Sequence, residues 1–167
     1  MLGSGSSAYV SGWDDDRVYE VDLSTLTISD TYSLPVSGYT TVAVDDVNKI
    51  MYIFWRTTST GTVENYKFTA WDYDNDQVLY TKLINNGFAA MQACDFVNGK
   101  IIVAWGLATG TAPSGMAVYD TNGNMLAEYK STILSANEPE GVCYDRANNR
   151  LLFSVINKKL YKVEAVI

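Results

Sequence analysis

The sequence predicts an all-β chain made of about four copies of one four-stranded antiparallel unit, and three observations carry that reading. A short apolar run recurs, often ending in tryptophan: Tyr9-Val10-Ser11-Gly12-Trp13, Met51-Tyr52-Ile53-Phe54-Trp55, Ile102-Val103-Ala104-Trp105 and Leu151-Leu152-Phe153-Ser154-Val155. Each run is followed by an alternating strand that ends on an acid, Asp22, Asp72, Asp120 and Glu164, at spacings of 50, 48 and 44 residues. Val, Ile, Tyr, Thr and Trp are abundant and no stretch keeps a helical period, which suits a pleated surface. A repeat of about 50 residues holding four short strands is the pattern of a β-propeller blade, so the expected fold is a β-propeller-like array.

Taken in order, residues 1–7, with Gly3-Ser4-Gly5-Ser6-Ser7, read as a flexible leader. Residues 8–167 read as a single propeller-like domain with blades at about 8–35, 36–86, 87–133 and 134–167. The first blade opens at its second strand. In the second blade strands are expected near 41–46, 49–57, 65–72 and 77–83, and in the third near 90–96, 100–106, 115–120 and 124–130. The last blade stops after its third strand. Asn98-Gly99 and Asn122-Gly123 supply the positive backbone angles of tight hairpins, and Asn48-Lys49 and Asn148-Asn149 fall at related points. Pro35, Pro113 and Pro139 all fall in connections, which leaves the strands able to donate their ladder hydrogen bonds. The incomplete end blades leave three solutions for the open edges: the leader adds a strand, the chain is one piece of a longer propeller, or copies complete one another in a homo-oligomer.

Composition narrows the function. A content of 47% hydrophobic and 13% aromatic residues supplies a real core. Twelve Lys and Arg against 19 Asp and Glu give a net charge of −7, which repels phosphate backbones and argues against nucleic acid as a partner. The N-terminus lacks the basic start and apolar stretch of a signal peptide, and no apolar run nears the ~20 residues that span a bilayer. No membrane insertion is expected, and the localisation stays open, a virion included. Cys94 and Cys143 sit in apolar strand-like runs and read as buried thiols.

The chain has no histidine, which excludes Ser-His-Asp and Cys-His catalysis and every zinc site that needs imidazole. Neither a Gly-x-Ser-x-Gly elbow nor a phosphate-binding Gly-x4-Gly-Lys-Ser/Thr loop occurs. Carboxylate chemistry survives this filter. Asp72-Tyr73-Asp74-Asn75-Asp76 has the alternating oxygens of a calcium loop, yet Gln77 stands where such a loop needs glycine and Leu83 where it needs glutamate. The same place in the next blade is Asp120-Thr121-Asn122-Gly123-Asn124, so both segments read as turns. No cofactor is expected beyond a divalent metal in one alternative below.

Glu138-Pro139-Glu140-Gly141-Val142-Cys143-Tyr144-Asp145, followed by Asn148-Asn149-Arg150-Leu151-Leu152-Phe153, resembles the inner two strands of NHL, YVTN and gluconolactonase-like propeller blades. Val21-Asp22 and Tyr119-Asp120 resemble their third strands. The resemblance bears on fold, because unrelated functions share these motifs. In gluconolactonase-like enzymes a glutamate at the head of an inner strand binds a divalent metal, and Glu140 matches that position. The corresponding places in other blades hold Thr40, Thr41, Ala90 and Met91. In its short blades rich in Tyr, Trp, Ser, Thr and Asn, the chain is also similar to propeller domains of phage tail fibres and receptor-binding proteins.

Aromatic side chains are the remaining asset, since flat faces flanked by hydrogen-bonding groups hold sugars. Trp55, Trp71 and Trp105 read as core, whereas Trp13, Tyr32 and Tyr39 stand beside loops and read as ligand-binding. Two long connections, Arg56 to Val63 and Gly106 to Gly115, join second and third strands, and Arg56, Thr58, Thr109 and Ser114 are their candidate contact residues. The expected function is a non-enzymatic binding or structural module, of the kind found in a phage tail fibre or receptor-binding protein, that recognises a surface glycan. The alternatives are a metal-dependent lactonase-like hydrolase centred on Glu140 and a protein-interaction scaffold that binds a protein surface.

Overall fold

The computed structural model describes residues 7–12, 15–56, 66–84, 90–106, 114–131, 138–156 and 159–164. All of the regular structure among them is β. Fourteen strands form four antiparallel meanders. The first blade holds β1 (Ser7–Ser11), β2 (Arg17–Asp22) and β3 (Thr27–Ser33). The second holds β4 (Tyr39–Asp45), β5 (Ile50–Arg56), β6 (Tyr66–Asp72) and β7 (Gln77–Ile84). The third holds β8 (Met91–Val97), β9 (Lys100–Trp105), β10 (Ser114–Asp120) and β11 (Met125–Ser131). The fourth holds β12 (Pro139–Asp145), β13 (Arg150–Val155) and β14 (Lys159–Glu164). The fold is the propeller-like blade array that the repeat predicts, with the strands of the second and third blades starting and ending within two residues of their expected places.

The chain divides into two compact units, one carrying β1–β7 and the other β8–β14. In the first unit alternation turns Tyr9 and Val18 toward Val42, Val44, Met51, Ile53 and Trp71, and these side chains form the core between the first two blades. A polar bridge crosses the same junction. The Tyr9 hydroxyl donates to Asp46 Oδ1 at 2.9 Å, the Tyr73 hydroxyl donates to the same oxygen at 3.3 Å, and Lys49 Nζ lies 2.9 Å from it. Burial pushes the Tyr9 and Tyr73 phenols above their ordinary range, so both stay neutral donors. In the second unit Val97, Ile102 and Ala104 meet Val142, Leu151, Phe153 and Val155.

The recurring acids build the turns. Asp45, Asp72 and Asp145 each accept the backbone N–H of the asparagine three residues on, at 3.2, 3.0 and 3.3 Å, and also its side-chain amide, at 2.7, 2.9 and 2.8 Å. Asp120 accepts the backbone N–H groups of Asn122 and Asn124, and Asp22 accepts that of Ser24. These bonds favour the charged form and hold the Asp22, Asp72 and Asp145 carboxyls below their usual range. Asp72 and Asn75 therefore satisfy one another inside a turn, as the comparison with Asp120 predicts. The turns close through positive φ at Lys49 (58°), Asn149 (50°) and the Asn98-Gly99 pair (50° and 74°), whereas at Asn122-Gly123 only the glycine (70°) adopts it.

Bulges interrupt the ladders at two kinds of place. The last strand of each of the first three blades carries one extra residue against its neighbour: Ser29 in β3, Leu79 in β7 and Leu126 in β11. Two inner strands carry one at their heads, Gln92 in β8 and Glu140 in β12. A bulge bends its strand and re-aims the extra side chain.

Candidate functional site

Aromatic and cationic side chains gather at the ends of β4, β5 and β6. Tyr39 is the cross-strand partner of Arg56, and Tyr66 follows one step on from the Trp55–Lys67 pair on the other side. The Arg56 guanidinium therefore sits between two rings, with its central carbon 5.6 Å from the Tyr39 centroid and 5.4 Å from that of Tyr66. At 9% exposure it is a desolvated cation held by π faces, where such contacts reach about 2 kcal/mol. On the opposite face of the sheet, Lys67 Nζ lies 4.5 Å from the half-buried Trp55 ring, and Trp55 Nε1 donates to Thr69 Oγ1 at 3.0 Å. Thr69 in turn shares a 2.9 Å hydrogen bond with Thr81.

The sequence singled out Tyr39 and Arg56 separately, and the fold brings them together. It did not single out Tyr66 or Lys67, and it read Trp55 as core. Arg56 fixes the geometry of the strand ends from within, while Tyr39, Trp55 and Lys67 offer partly or fully exposed surface beside it. A half-buried indole with a cation over its face and threonine hydroxyls beside it has the ingredients for binding a flat polar molecule.

The other candidates stand elsewhere. Tyr32 packs edge-on against Tyr73, with centroids 4.9 Å apart, and its hydroxyl donates to Glu20 Oε2 at 2.9 Å, so it belongs to the junction of the first two blades. Ser114 is buried, and its Cβ lies 2.5 Å from where a Cβ on Gly106 would fall, which explains glycine at that position with its φ of 147°. Trp13, Thr58 and Thr109 lie outside the described residues. Cys94 is buried and Cys143 half-buried, and no disulfide joins them.

Glu140 is the exposed extra residue of the β12 bulge. Its carboxyl is raised from the ordinary range by partial burial and then by the charge of Glu138. The equivalent residue in the third blade is Gln92, not Ala90 or Met91, because the bulge shifts the alignment. Gln92 Nε2 donates to Glu138 Oε1 and to the carbonyl of Gly106, 3.3 Å away. One oxygen of Glu138 is thus already engaged. Among the described residues no three His, Cys, Asp or Glu side chains come together as a metal would need.

Asp95 is one of two buried aspartates among the described residues, at 6% exposure beside 5% for Asp45. It accepts the backbone N–H of Phe96 at 2.9 Å and that of Tyr144 at 2.8 Å, tying the third blade to the fourth. Burial raises its pKa, and the two N–H groups oppose this without cancelling it. A carboxyl raised on folding contributes its full stability below the unfolded value and loses it as pH rises through that value to the folded one. Asp95→Asn resembles the protonated acid, so the stability of this variant relative to the parent should climb as pH rises across the carboxylate range. Urea midpoints of both proteins at a series of pH values check this; a difference that stays flat or falls would contradict it.

No known family pattern and no curated protein matches the sequence. Among solved structures, the chain is similar to Kuenenia stuttgartiensis hydrazine synthase, at 12% identity and a TM-score of 0.56. The match covers 96% of this chain and 43% of that one, so the chain spans less than half the length of the structure it resembles. At this identity the likeness concerns the fold alone.

Proposed function

We propose that this chain is a non-catalytic binding module whose recognition surface is built on the strand ends of the second blade, and that its ligand is a surface glycan. The observation that carries this is the Trp55–Lys67 stack on one face of the sheet, stiffened from the other face by the buried Arg56 guanidinium between Tyr39 and Tyr66. Sugars bind such platforms through their C–H faces and through hydroxyls that reach neighbouring polar groups. The net charge of −7 supports an uncharged sugar over a polyanionic one. Resemblance to the propeller domains of phage tail fibres supplies a setting, a virion protein that touches a cell-surface glycan.

A glycan array followed by calorimetry on the best sugar tests the reading. Trp55→Ala should lower affinity at least about tenfold, an effect on the order of 1.4 kcal/mol, and Lys67→Ala should weaken binding less. Both variants should keep the circular dichroism of the parent. No specific sugar, or affinity untouched by Trp55→Ala, would overturn it. A divalent metal that raises the melting temperature only while Glu140 is intact would favour the lactonase-like hydrolase, and specific capture of a protein partner without sugar would favour the scaffold.

A further inference from the structure

Three asparagines of this chain precede a glycine: Asn86, Asn98 and Asn122. Asn86 lies outside the described residues. Asparagine is a thermolabile side chain, because the backbone nitrogen of the next residue can attack its carboxamide. A following glycine, with no Cβ, leaves that nitrogen unobstructed. In sequence Asn98-Gly99 and Asn122-Gly123 are two turns of one kind, and the fold separates them.

The turn at Asn122-Gly123 is held from several sides. Gly123 is buried, and its N–H donates to the Asp120 carbonyl at 3.0 Å. The Asp120 carboxylate accepts the backbone N–H of Asn122 at 2.9 Å, that of Asn124 at 2.7 Å and the Asn124 side-chain amide at 2.8 Å. The nitrogen that would attack is engaged, and the residues on both sides of it are fixed. At Asn98-Gly99 both residues are exposed. Asp95, the acid nearest in sequence, holds the Phe96 and Tyr144 N–H groups instead of the turn. Among the described residues neither the Asn98 carboxamide nor the Gly99 N–H has a hydrogen-bond partner. A Cβ on Gly99 would meet no atom within 4 Å, so the bend has open space around it. The ladder pair Val97–Lys100 closes this two-residue loop.

We propose that Asn98 is a site of spontaneous deamidation whose product loosens the contact between the third and fourth blades. The Gly99 nitrogen gives up its proton and bonds to Asn98 Cγ. The Cγ–Nδ2 bond breaks, ammonia leaves, and water then opens the cyclic imide at one of its two carbonyls. One opening yields aspartate and the other isoaspartate, in which the side-chain carbons have entered the backbone. Asp-Gly suits the same tight hairpin as Asn-Gly, so the aspartate form keeps the turn. Isoaspartate lengthens the loop by one backbone carbon, and Val97 and Lys100 then no longer face one another. Val97 packs with Val142, Leu151, Phe153 and Val155 of the fourth blade, and Asp95 of the same strand holds the Tyr144 N–H. A change in an exposed turn thus reaches the junction of two blades.

Timed incubation of the parent chain at mildly alkaline pH, followed by tryptic mapping with mass spectrometry, tests this. Trypsin places Asn98 in peptide 83–100 and Asn122 in peptide 101–130, and fragmentation separates Asn98 from Asn86. In the folded protein Asn98 should deamidate at least about tenfold faster than Asn122, the factor that one hydrogen bond to a charged group supplies. In concentrated urea the two rates should converge, since glycine follows both. Asp120→Ala should speed the reaction at Asn122 and leave Asn98 as it was; should that variant fail to fold, the comparison of folded and unfolded parent decides by itself. The isoaspartate form, separated by chromatography, should unfold at lower urea than Asn98→Asp, which carries the same charge. Equal rates at the two sites in the folded protein, or an Asn98 that reacts in urea and not in the folded chain, would overturn the proposal. An isoaspartate form as stable as Asn98→Asp would overturn the effect on the fourth blade.

Discussion

Gly115→Ala should unfold the third blade or leave it barely stable. A methyl group there would fall inside the contact radius of the Tyr129 carbonyl oxygen, 3.0 Å from its carbon and 3.1 Å from Trp105 Cζ2. Lys130 is the strand partner of Gly115, so the obstacle is the backbone of the adjacent strand and cannot rotate away. Overpacking a core ordinarily costs about 1–3 kcal/mol, and this case should exceed that range because β10 and β11 would have to separate. Gly141→Ala is the matched control. Its nearest obstacle, at 2.6 Å, is the hydroxyl of Ser154, which a rotamer change removes. Urea midpoints that fall equally for the two substitutions would refute the argument.

Phe68→Ala should cost about 3–5 kcal/mol, the range for emptying a fully buried aromatic site. Phe68 is fully buried in β6 and touches three rings: Tyr52, stacked at 6.0 Å with planes 10° apart; Phe54, edge-on at 5.0 Å; and Tyr80 at 6.1 Å. Burial, helped by Asp45 and Tyr80, pushes the Tyr52 phenol up to about 12, which marks how dry the cluster is. The same side chain stands behind the Arg56 group, since Arg56, Phe54 and Tyr52 alternate along one face of β5. Phe68→Ala should therefore loosen the proposed glycan platform as well as the blade. Phe68→Leu, which keeps most of the volume, should recover more than half of the lost stability in the same denaturation experiment.

The strands were legible because two periods coincide in the sequence: an alternation within each strand and a return near 50 residues. Turn residues then marked where one strand gives way to the next, and Asp72 could be read as a turn residue because Asp120 does the same job a blade later. Side-chain partners were less legible wherever the count of residues between strands varies. Asp45, Asp95 and Asp145 are evenly spaced in sequence, yet Asp45 and Asp145 end their ladders beside Ile50 and Arg150, while Asp95 pairs with Ile102. The Asn98-Gly99 hairpin is two residues shorter than its counterparts, so Asp95 moves two positions into its strand and accepts the Tyr144 N–H in place of a turn asparagine. The nine residues 57–65 hid the pairing of Tyr66 with Arg56 in the same way, and the Gln92 bulge hid the match between Gln92 and Glu140. A repeat fixes the strands, while single insertions decide which side chains meet.

The outer-strand bulges bear on what the chain does in a crowded solution. β3, β7 and β11 are mostly exposed and carry Ile28, Val78, Leu79, Leu83, Leu126 and Tyr129 in the open. A straight edge with that composition is a template on which another chain can add a strand, and then another. One surplus residue in each of the three strands breaks the even spacing of the donor and acceptor row, so an incoming strand finds its hydrogen bonds in register for only part of its length. Irregularity repeated in the first three blades thus works as a stop signal against fibre growth, and removing Ser29, Leu79 or Leu126 would straighten the edge that the fold keeps bent.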